Sequence, residues 1–162
     1  MHSSNLPVQA KEQEDKKRIV HEVLSRQRDD LSLLCSVVEY LKSQKSVRLD
    51  DEDTKKYTEK MDTLKLRQAN RYEVIDQIIN ENLKDIKKGH TGLQVVVAFA
   101  KEVRKSESGL RTLMLFTNDV IEMLKLNATI EDRVDDRIYY FDKRSSALET
   151  EMSVLQQKIA IR

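Results

Sequence analysis

The sequence predicts an all-α fold, an antiparallel bundle of three to four long helices running up-down-up-down. Three observations carry that reading. Three glycines and one proline in 162 residues leave almost nothing to break a helix. Charged residues make up 35 % of the chain, and apolar residues recur between them at steps of three, four and seven. One stretch, Thr91 to Leu126, is so apolar around its circumference that neighbours must cover it.

That stretch is the expected central helix, over 92–126. Leu93, Val96, Ala100, Val103, Leu110, Leu113, Val120 and Leu124 form its stripe. Val95, Val97, Phe99, Met114, Leu115, Phe116 and Ile121 widen it. Residues 91–127 hold nine charged side chains, against nineteen in residues 50–90. Helix propensity is poor at Ser106-Glu107-Ser108-Gly109, which marks a candidate bend.

The elements around it follow in order. Residues 1–7 read as a short flexible lead, and residues 8–162 as one helical domain. The first helix, 8–44, carries Ile19, Val20, Val23, Leu24, Leu31, Leu34, Val37, Val38 and Leu41 on its seam. Residues 11–18 have no apolar side chain and read as a solvated, fraying extension. The second helix, 51–88, opens on Asp50, Asp51, Glu52 and Asp53, which suit a helix N-terminus. Its expected seam is Tyr57, Met61, Leu64, Tyr72, Ile75, Ile79, Leu83 and Ile86. It ends on Lys87-Lys88-Gly89, a basic last turn and a left-handed glycine cap. Thr91-Gly92-Leu93-Gln94 then offers a capping box, so a tight αα-hairpin is expected here.

A break at Asn127-Ala128-Thr129, with Thr129 as cap, would start a fourth helix over 130–160. Its seam is Ile130, Val134, Ile138, Phe141, Leu148, Met152, Leu155 and Ile159, narrow and coiled-coil-like. Four helices of about 45–57 Å with short joints suit a closed bundle. A helix running straight through residue 127 would instead make a rod of about 100 Å that needs a second chain. The pattern reaches the last residues without a stop signal, as in a fragment of a longer protein.

Composition narrows the function. The net charge is +1, with no strongly basic or acidic block, which disfavours nucleic acid as a partner. A single cysteine, Cys35, fits a reducing compartment, and with no spanning or signal segment the chain reads as intracellular and cytoplasmic. The residues point to no enzyme, cofactor or metal. No Glu-x-x-His pair precedes His21 or His90, and Glu131, Asp132, Asp135 and Asp136 interleave with Arg133 and Arg137 as ion pairs would. Three glycines cannot build a phosphate loop or a nucleophile elbow. Cys35 sits beside Leu34 and Val38 and reads as a small buried hydrophobe.

Two candidate surfaces remain. The first is the last helix, where Ile138, Phe141, Leu148, Met152 and Leu155 would meet a partner helix or a second copy, with Tyr139 and Tyr140 beside them. The second is a basic tip of Lys84, Lys87, Lys88, His90, Lys101, Arg104 and Lys105 around the second turn. The expected function is a non-enzymatic protein–protein interaction module or scaffold. The alternatives are an elongated scaffold meeting a membrane surface or cytoskeleton through the basic tip, and a cochaperone-like bundle docking a folded partner.

Overall fold

A computed structural model gives the fold, and it describes residues 2–44, 48–126 and 131–161. Four long helices fill it: α1 (His2–Gln44), α2 (Asp51–Lys87), α3 (Gln94–Leu126) and α4 (Glu131–Ile161), with a 3-10 turn at Thr91–Leu93 before α3. Helix α1 takes in residues 2–7, which were expected as a flexible lead. The expected break at Asn127-Ala128-Thr129, the Thr129 cap and Ile130 on the seam lie outside the described residues.

Side-chain contacts fix the topology. Asp30 meets Arg67 and Arg71, and Lys16 meets Asn82, so α2 runs antiparallel to α1. Arg104 meets Asp76, so α3 reverses again. Arg137 faces Asp119, and Gly109 sits against Leu148, so α4 runs antiparallel to α3. The bundle is closed, because α4 packs along both α1 and α3. Helix α3 touches all three others, as its apolar circumference requires, while α2 and α4 flank it without touching each other.

The hairpin between α2 and α3 is built as the glycine implied. Gly89 takes φ 107, a conformation that costs glycine little. Its N–H donates to the Ile86 carbonyl at 3.0 Å, and the His90 N–H donates to the Asp85 carbonyl at 3.0 Å. Those two bonds are the Schellman pattern and satisfy carbonyls the helix end would orphan. The capping box does not form: Thr91 lies inside the 3-10 turn, and the Gln94 N–H bonds the Thr91 carbonyl instead. The acidic start of α2 is capped as expected, with the Asp50 carboxylate accepting from the Asp53 N–H at 2.7 Å. Leu49, buried in the first connection, donates its N–H to the Leu124 carbonyl at 2.9 Å and so covers the end of α3.

Two stretches differ from expectation. Residues 11–18 do not fray free of the bundle, because Lys16 donates to Asn82 Oδ1 at 2.8 Å. Helix α3 stays helical through Ser106–Gly109, and Ser106 and Glu107 there point inward while Ser108 faces out. The reason lies in the core. Arg71, only 6 % exposed, donates to both Glu107 carboxylate oxygens at 3.0 and 2.9 Å and also to Asp30. Gln27 donates to Glu107 at 2.6 Å and accepts from Ser106 at 2.6 Å. Burial works against the Arg71 charge, but its bonds to Glu107 and Asp30 outweigh that and raise its pKa above the usual value.

Two expected seam residues give way to buried polar neighbours, Tyr72 to Arg71 of this cluster and Leu83 to Asn82, which bonds Lys16. Tyr72 and Leu83 are exposed, while Arg71, Ile78 and Asn82 are buried. Tyr57, Met61, Leu64, Gln68, Arg71, Ile75, Ile78 and Asn82 alternate steps of four and three without interruption. A search for apolar residues leaves that line at Arg71 and lands on its neighbour Tyr72. Ile19 on α1 is also outside the core.

Candidate functional site

The seam of α4 folds inward. Ile138, Phe141, Leu148, Met152 and Leu155 are all buried among residues of their own bundle, with Met152 fully so. These five were expected to meet a partner, and in the closed bundle α1 and α3 already cover them. Gly109 makes room for the closest approach, since a Cβ there would stand 3.1 Å from Leu148 Cδ1. Tyr139 and Tyr140 differ. They are 63 % and 51 % exposed, and their rings meet edge to face at 5.7 Å.

Helical geometry separates the two sets. Residues 134, 138, 141, 145, 148, 152, 155 and 159 follow the four-three spacing of one inward face. Tyr140 sits on the edge facing α3, and Tyr139 on the outer side. The Tyr140 ring lies 6.4 Å from that of Phe116 on α3. Arg137 and Arg144, about one turn before and one turn after Tyr140 on α4, each hold their guanidinium carbon 5.5 Å from the Phe116 ring centre. The sequence suggested that Arg137 pairs within its own helix. The structure turns it to α3, 3.7 Å from Asp119. What results is a shallow surface of aromatic rings edged by arginines along the α3–α4 joint.

The basic tip does not assemble as one surface. Arg104 bonds Asp76 of α2 at 3.1 Å, on one side of α3. Lys101 and Lys105 line the groove on the other side, with Glu102, Glu151 and Lys158 of the α3–α4 joint. Lys84, Lys87 and Lys88 stay at the end of α2, a helix that does not reach α4.

The remaining candidates are quickly placed. Cys35 is half-buried between α1 and α4, near Glu149 and Gln156. Burial first, and then the charges of Glu149, Asp142 and Glu39, push its thiol pKa up, which disfavours the reactive thiolate. Among the described residues no group of three His, Cys, Asp or Glu could hold a metal ion, and no helix is long and apolar enough to cross a membrane. A groove of about 920 Å³ runs between α2 and α3 past Tyr72, Met114 and Leu115, with Lys65 and Arg111 balanced by Glu73 and Asp76.

No protein-family model, curated protein or solved structure matches the chain.

Proposed function

We propose that the chain is a non-enzymatic helical interaction module that docks a partner protein on the outer α3–α4 face rather than through the α4 seam. The observation that carries this reading is the pair Tyr139 and Tyr140, both more than half exposed in a chain with few aromatics. Tyrosine and arginine are the residues most enriched where binding energy concentrates, and here they stand together. Tyr140, Phe116, Arg137 and Arg144 hold one another in place, so little ordering is left for a partner to impose.

A photo-cross-linking amino acid at position 139 tests the reading in an extract of the cells that express the protein. A second copy of the probe at position 59, on the exposed side of α2, serves as control. Discrete protein adducts from 139 and none from 59 are expected. No adduct from 139, or the same adducts from both positions, contradicts the docking face.

A further inference from the structure

We infer that the partner segment is an acidic amphipathic helix of another protein, a conclusion that rests on the α3–α4 docking face and adds the chemistry of its occupant. The antiparallel register sets Phe116 beside Tyr140 and Asp119 beside Arg137. Arg133 and Arg144 lie four residues before and seven after Arg137, which puts all three on the edge of α4 that faces α3. Among the described residues one carboxylate is paired with them, Asp119, and it is turned to Arg137. Arg133 and Arg144 have no carboxylate within ion-pair distance among the described residues. Asp132, Asp136 and Lys143 stand further out on the rim and lower the local surplus of positive charge from two to one.

The surface is therefore locally cationic in a chain whose total charge is only +1. Its aromatic centre asks for apolar side chains, and its arginines ask for carboxylates, which they grip as a planar fork. From Arg133 to Arg144 the stripe runs about 16 Å, about three turns of an incoming helix. The joint between two antiparallel helices receives such a helix along its length, with apolar anchors at spacings of three and four. Anionic lipid and nucleic acid would also meet the arginines. Further along the same joint Lys101, Lys105 and Lys158 are interleaved with Glu102 and Glu151, so a polyanion finds no continuous cationic track in a near-neutral chain.

The test uses the full chain and a fluorescein-labelled 20-residue peptide with Glu on one helical face and Leu and Phe on the other. A scrambled peptide, a Lys-for-Glu version, phosphatidylserine vesicles and a 20-nucleotide single strand are compared by anisotropy or co-sedimentation. The acidic amphipathic peptide should bind about tenfold or more tightly than every comparator, and more weakly in high salt. Reversing Arg133→Glu together with Arg144→Glu should weaken it about tenfold, and Tyr140→Ala several-fold. Lys55→Glu with Lys65→Glu, on α2, should leave it within about twofold.

Equal binding of the scrambled peptide, no binding at all, indifference to the arginine reversal, or tighter capture of vesicles or single strand overturns the inference. Circular dichroism of each variant guards against unfolding. The cross-linking experiment keeps the two failures apart. Adducts from position 139 that persist after arginine reversal leave the docking face standing and remove the acidic partner. Absence of adducts in the unaltered chain removes the face itself.

Discussion

Helices α1, α2 and α3 share a buried charged cluster, whereas α4 meets α1 and α3 through an apolar seam with polar contacts along its rim. The cluster joins Gln27 and Asp30 of α1, Arg71 of α2, and Ser106 and Glu107 of α3. The rim contacts of α4 include Lys42 with Asp142 at 2.8 Å, Arg137 with Asp119 at 3.7 Å, and Gln156 with Arg28 and Ser25. An apolar seam tolerates a slip of register better than a directional set of bonds does. A bidentate arginine between two carboxylates fixes how three helices sit along one another. The comparison assigns register to one side of the bundle and the closing of the core to the other.

Removing the centre of the cluster should have the largest effect. Arg71→Met takes the arginine from buried Glu107 and leaves buried Asp30 with Arg67 alone, and should cost about 3–5 kcal/mol in urea unfolding. Replacing Arg71, Glu107 and Asp30 together by apolar residues of similar size should restore most of that stability. If Arg71→Met alone proves neutral, the charged cluster does not anchor the three helices.

On the other side, Met152→Ala opens a cavity in a fully buried position and should cost about 2–5 kcal/mol. Hydrogen exchange should then show α4 loosening while the amides around Arg71 stay protected. Uniform loosening of all four helices would erase the distinction between the two regions.

The rim should matter least to stability. Asp142→Asn removes the Lys42 pair, which is about half exposed at its carboxylate, and should cost less than about 1 kcal/mol. A loss as large as that of Met152→Ala would mean that α4 is held electrostatically.

The smallest expected signal is spectroscopic. Tyr40 donates its hydroxyl to Asp53, and that bond, with burial and the Asp53 charge, pushes its pKa up to about 12. The neutral phenol is favoured in the folded chain, so this contribution is complete below about pH 10 and is lost as pH rises from about 10 to 12. Alkaline titration at 295 nm should show Tyr40 as a late tyrosine beside Tyr57, which burial and the Asp53 charge also raise, and Asp53→Asn should shift Tyr40 earlier. If Asp53→Asn leaves the titration unchanged, the bond from Tyr40 is not what holds the late tyrosine.

Much of this fold is legible in the residues. Periodicity locates four helices, and Lys88-Gly89 ends α2 through a backbone geometry that glycine favours. The crowded apolar surface of α3 correctly implies three neighbours. The charged cluster was hidden because hydrophobic periodicity treats Gln27, Arg71 and Glu107 as outward residues. Only the unbroken four-three spacing through Gln68 and Arg71 signals otherwise. The surface was harder still. Whether the α4 seam faces its own chain or another depends on a reversal between residues 126 and 131, and one helix pattern serves both. The Arg137 and Arg144 placement over Phe116 depends on the register between α3 and α4, which no local spacing sets.

Small-angle scattering with mass determination tests most directly the claim that α4 is used inside its own bundle and leaves only its outer face for partners. A particle of about 18.9 kDa with a maximum dimension of about 65–75 Å, set by the length of α1, is the predicted result. A particle of twice that mass and longer than about 100 Å would contradict it. Helix α4 would then leave its own chain, and its seam, rather than Tyr139 and Tyr140, would be the binding surface.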